Sequence, residues 1–147
     1  MNYIESALDP LVFEGKGNGS VSGKMDSITE KLFIGGFNEA SDIRCLTEFN
    51  IGAVLTVATQ KPLFYANGVS YKFIRVNDTF DADLLSSFDE CFEFIDSHIS
   101  SGRNVLVHCQ VGVSRSATVV AAYLMKKLNI GVHEALAIIK AKRSCIK

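Results

Sequence analysis

The chain has 147 residues, 48% of them hydrophobic, and a formal net charge of −1 from 15 basic and 16 acidic side chains. That length suits one domain able to bury a core without disulfides or structural metal. A near-neutral balance argues against a nucleic-acid or membrane-surface binder, whose basic excess shows in such totals.

Residues 1–26, which include "EGKGNGSVSGK", read as a flexible Gly- and Ser-rich leader, leaving 27–147 as the domain. Within the domain, "KLFIGG" predicts a short strand stopped by glycines. "NEASDIRCLTEFN" predicts a short helix with Ile43, Leu46 and Phe49 at helical spacing. "IGAVLTV" is apolar and β-branched, as in a buried strand, and "VSYKFIRV" reads as another. The clearest helix is "DADLLSSFDECFEFIDSHISSG". There Leu85, Phe88, Phe92, Ile95 and Ile99 form one stripe, Asp81 or Asp83 caps the start and Gly102 closes the end. A buried strand at "NVLVH", a helix over 115–128 and a last helix at "HEALAIIKAKR" complete the pattern. Strands alternating with helices predict an α/β fold, a central sheet flanked by helices. Ligands of such sheets sit beyond the carboxyl ends of the strands, and Cys109 lies at that end of "NVLVH".

The four cysteines, Cys45, Cys91, Cys109 and Cys145, lack the paired spacing of a zinc site, so no metal is expected. Cys91 falls on a helix stripe and reads as a small buried hydrophobe; Cys45 and Cys145 read as packing or surface thiols. The opening "MNYIESALDPLVFEG" carries no secretion, lipidation or membrane-anchor signal, which predicts a cytoplasmic or nuclear protein with free thiols. His98 and His133 read as exposed helix residues, and "AVLTVATQ" as core strand with no binding role.

"VHCQVGVSRSATVV" carries the chemistry. Gly112 permits a tight turn, and a helix beginning near Ser114 points its unsatisfied N–H groups into that turn. Such a loop is an anion cradle. A thiolate at Cys109 is stabilised by those dipoles and by the Arg115 guanidinium, whose planar fork can also hold two phosphoryl oxygens. The loop therefore suits attack of sulfur on a phosphate ester, giving a phosphocysteine that water then cleaves. Cys-x5-Arg alone is a weak signal; the preceding strand and His108, the Gly, the flanking serines and the following helix make it specific. Expelling the leaving oxygen requires a proton donor, and "FIRVNDTFDADL" offers Asp78, Asp81 and Asp83, of which the last two also read as helix caps. His108, on the buried side of the strand end, reads as a support of the loop.

"HCQVGVSRSAT" resembles the His-Cys-x-x-Gly-x-Ser-Arg-Ser signature of dual-specificity protein phosphatases, within the cysteine-based tyrosine phosphatase superfamily. The resemblance runs over about 28–147 through "LFIGG", "GAVLTV", "VNDTFDADL", "VLVHC" and "AYLMKK". It is strongest to the MAP-kinase-phosphatase-like and small atypical members; the former commonly have Gln-Ala-Gly-Ile-Ser where this chain has Gln110, Val111, Gly112, Val113 and Ser114. It implies a tyrosine-phosphatase-like fold with a mixed, mostly parallel sheet and a shallow pocket open to phosphotyrosine, phosphoserine and phosphothreonine. It further implies Cys109 as nucleophile, Arg115 as phosphate clamp, Asp78 as general acid and Ser116 as the hydroxyl assisting breakdown of the intermediate. Residues 110–115 would bind the phosphate, with Ser114 structural and no cofactor. The expected partner is a phosphorylated protein, with no nucleic acid. Family catalytic domains usually continue past "RSCIK" into a further helix, so a C-terminal helix is expected to be missing. Two other readings fit the same loop: a phosphatase of a phosphoinositide, glycan or RNA 5′-triphosphate, and a non-catalytic phosphoprotein-binding module.

Overall fold

The computed structural model describes residues 25–62, 65–76, 86–110 and 115–143. Five strands form one sheet: β1 (Asp26–Thr29), β2 (Leu32–Gly35), β3 (Ile51–Ala58), β4 (Ser70–Arg75) and β5 (Asn104–His108), in the order β1-β2-β5-β3-β4. β1 is antiparallel to β2, and the other pairings are parallel, giving the mixed, mostly parallel sheet expected. The helices are α1 (Phe37–Ala40) and α2 (Ile43–Glu48) after β2, α3 (Phe88–Ser100) between β4 and β5, and α4 (Arg115–Leu128) and α5 (Val132–Lys142) after β5.

Successive side chains of a strand face opposite ways, and β3 and β5 bury both sets. Leu55, Val57, Val105 and Val107 join Cys91 and Ile95 of α3, Val120 and Leu124 of α4 and Ile139 of α5 in the larger core. Val54 and Leu106, one position out of phase, pack with Ala40, Cys45 and Leu46 of α1 and α2 in a smaller one. α4 is buried almost all round from Ser116 to Leu124, which matches its nearly uncharged run "SATVVAAYL".

Three sequence expectations shift. Met25 is 3% exposed and Asp26 begins β1, so the folded unit starts two residues before residue 27. Asp26 also binds Arg143, itself 7% exposed, just beyond α5, joining the first strand to the last helix across the domain. The helix predicted over 38–50 is two short ones, because the Asp42 carboxylate accepts a bond from the Arg44 amide (2.9 Å) and starts a new helix. Ile43, placed on the apolar stripe by its spacing, is 51% exposed as a result, while Cys45 and Leu46 turn inward. On α3, Cys91 and Ile95 are buried, and Phe92 and Ile99 pack against them half-buried. Gly102 closes that helix at φ +88°, a conformation that favours glycine. Leu85, Asp81, Asp83 and Cys145 lie outside the described residues, as do residues 1–24 of the expected leader.

Candidate active site

β5 occupies the middle of the sheet between β2 and β3, and its carboxyl end delivers His108 and Cys109. α4 begins six residues after Cys109, at Arg115. The Ser116 hydroxyl, in the first turn of that helix, lies 3.4 Å from the Cys109 sulfur. Cys109 is 5% exposed and Ser116 fully buried, while Arg115 is half-buried at the helix head. A cleft of about 300 Å³ opens beside them, lined by Val57, Ala58, Thr59, Gln60, Gln110 and Arg115. A second hollow, about 260 Å³, lies under the connection between β3 and β4 among Lys61, Tyr65, Tyr71 and Phe73. Its lining includes neither Gln110 nor Arg115, so the first cleft is the one beside the residue that follows Cys109 and the head of α4.

Cys109, Gln110, Arg115 and Ser116 are therefore brought together. Asp78 and residues 111–114 lie outside the described residues. Among the described residues, no group of three or more His, Cys, Asp or Glu side chains is placed to hold a metal ion.

His108 has no exposed surface. Its Nδ1–H donates to the Cys109 carbonyl oxygen (3.3 Å), since a carbonyl can only accept. Its Nε2 lies 2.7 Å from Thr56 Oγ1 and accepts the threonine proton, which fixes the neutral tautomer. Burial pushes the imidazole down to about 4, so it stays neutral through the physiological range. A base needs access to the reacting proton; this ring instead ties the Cys109 backbone to the neighbouring strand. Thr56 and His108 are register partners on β3 and β5, which is why their side chains meet.

Thr56 is a functional position that the sequence reading set aside as core strand. The signal was present: a hydroxyl in an otherwise apolar run needs a partner when buried, and Thr56 is 1% exposed. A second support comes from α1, where the Phe37 amide donates to the carbonyl of Gln110, directly after Cys109 (3.1 Å), and the Phe37 ring lies 6.3 Å from that of His108. Cys91, by contrast, is fully buried among apolar groups, and burial pushes its thiol up to about 12. His98 lies against Arg103 and the Phe94 ring on the outer side of α3, and His133 is exposed.

The sequence model of the family described as "Dual specificity phosphatase, catalytic domain" matches residues 32–147. An Arabidopsis thaliana relative named dual specificity protein phosphatase 1B is 44% identical over 119 residues, covering 81% of this chain and 71% of its own. Human dual specificity protein phosphatase 1 is 39% identical over 115 residues, 78% of this chain and 31% of the relative. The chain thus spans well under half the length of the human relative. A crystal structure of a mouse putative dual specificity phosphatase complexed with zinc tungstate superposes with a TM-score of 0.79 at 26% identity, covering 91% of this chain and 84% of that one. A central parallel strand ending in His-Cys, an arginine at the head of the next helix and a family match over the same residues agree: this chain belongs to the dual specificity phosphatase catalytic domain family.

Proposed function

We propose that this chain hydrolyses phosphotyrosine and phosphoserine or phosphothreonine on protein substrates through a phosphocysteine intermediate. The placement of Cys109 carries the reading: a buried sulfur at the carboxyl end of the central strand, 3.4 Å from the Ser116 hydroxyl, with Arg115 at the head of the same helix. Arg115 holds two oxygens of the bound phosphoryl group, and α4 aligns its first amides with the same charge. The sulfur attacks phosphorus, so a P–S bond forms as the bond from phosphorus to the substrate oxygen breaks. Asp78 gives its proton to that leaving oxygen. Water then attacks the phosphocysteine, Asp78 takes the water's proton, and phosphate and the thiolate are regenerated. Ser116, 3.4 Å from the sulfur, donates a hydrogen bond from its hydroxyl to the departing thiolate in this second step and keeps its proton.

The test is Cys109→Ser assayed with a small aryl phosphate and with phosphotyrosyl and phosphothreonyl peptides. Turnover is expected to fall to background while phosphopeptide binding persists; measurable turnover by the variant removes Cys109 from the nucleophile role. Competition between phosphopeptides and a phosphoinositide for the parent protein separates protein from lipid substrates.

A further inference from the structure

We propose that Glu39 is a positioning residue for the nucleophile loop, an inference that rests on the phosphatase reading above. Glu39 is only 8% exposed, and its Oε1 accepts the Gly36 amide at 2.6 Å. Burying a carboxylate is costly unless charge-assisted hydrogen bonds offset the loss of water. The helix it serves has only the four residues Phe37–Ala40, too few for helix stability to explain a buried charge.

What the bond fixes is the turn that leaves β2. Gly35 pairs with His108 across the β2–β5 ladder, and a Cβ at Gly35 would come within 3.2 Å of Met25 Cβ and 3.3 Å of Leu106 Cδ1. The chain is therefore pressed against β5 before it turns. Glu39 pins the next amide, Gly36, and the one after it, Phe37, then donates to the Gln110 carbonyl at 3.1 Å. Gln110 immediately follows Cys109 and lines the cleft. Gln110 is thus held by the Phe37 amide, and Glu39 sets where that amide stands.

The molecule supplies its own control. At the start of α5 the Gly131 amide donates to Glu134 Oε1 at 3.2 Å, the same Gly-x-x-Glu arrangement, but exposed and serving an eleven-residue helix. One capping arrangement therefore occurs twice, once on the surface and once under the catalytic loop.

The experiment uses the whole chain with three substitutions. Glu39→Gln keeps an acceptor oxygen at full reach and loses the charge; Glu39→Asp keeps the charge and withdraws the oxygen by one methylene. Glu134→Ala removes the exposed counterpart. With a small aryl phosphate, Glu39→Asp is expected to lower kcat by about tenfold, the scale of one lost hydrogen bond, with Glu39→Gln, which keeps the acceptor, and Glu134→Ala within about threefold of the parent. Alkylation of Cys109 by iodoacetate is followed alongside: Glu39→Asp should raise the inorganic phosphate needed for half-protection by about threefold or more, and Glu39→Gln should not. Normal kcat and protection in Glu39→Asp would overturn the proposal, as would a Gln variant impaired as badly as the Asp one. A parent protein with no turnover would instead defeat the phosphatase reading, and the alkylation arm would still decide whether Glu39 positions the loop.

Discussion

On one face of the sheet, α3, α4 and α5 cover Leu55, Val57 and Val107 with an almost wholly apolar layer. On the other, α1 and α2 cover Val54 and Leu106 and share that side with Thr56 and His108. The first face has the area to hold the domain together. The second face is smaller and carries the buried hydrogen bonds that reach Cys109 and Gln110. Most of the apolar burial thus comes from one side of β3 and β5 and the bonds that hold Cys109 and Gln110 from the other, with α4 of the first side adding Arg115 and Ser116 at its head, and changes on either side test the division.

Leu124→Ala, on the three-helix face, should cost about 2–5 kcal/mol of folding stability, read by denaturant titration, and leave kcat of the folded fraction unchanged. A matching loss of kcat would blur the division. Arg115→Lys, where α4 meets the cleft, should lower kcat/KM by about 10²-fold, because a point charge replaces the planar fork, with little change in melting temperature. Near-normal kinetics would remove the clamp.

His108 gives a pH test of the two-helix face. Its folded value of about 4 lies below the ordinary 6.5, so between those limits the unfolded chain binds the proton more tightly. Stability should therefore fall as pH drops from 6.5 toward 4, by up to about 1.4 kcal/mol per pH unit from this group. His108→Asn should flatten that part of the stability profile. The smallest effect belongs to Thr56→Val, which removes one hydrogen bond at nearly constant shape. It should lower kcat by up to about tenfold, on the scale of 0.5–1.5 kcal/mol, and an unchanged rate would free His108 from its dependence on β3.

Most of the architecture was legible in the chain because β3 and β5 are short β-branched runs and α3 repeats its apolar positions every three or four residues. The failures have a common cause. Ile43 looked like a core residue by spacing, and only the Asp42 cap, a side-chain-to-backbone bond, rotates it outward. Local geometry overrode periodicity there. In the site, the His-Cys pair, Arg115 and Ser116 lie close in sequence and could be read together. The hydroxyl of Thr56 signalled a buried partner, but which partner, like the role of Glu39, could not be read, because these contacts are reached through strand register and through a turn beside a neighbouring strand. Sequence spacing does not encode which strands become neighbours.

β5, the last strand of the chain, lies between β2 and β3, which are formed from residues made long before it. Those two earlier strands cannot complete their ladders with each other and must wait for an insertion from far along the polypeptide, an arrangement that slows folding. Cys109, the proposed nucleophile, directly follows that inserted strand. A partly folded chain therefore has no assembled catalytic centre, and recovery of activity after dilution from denaturant reports closure of the whole sheet.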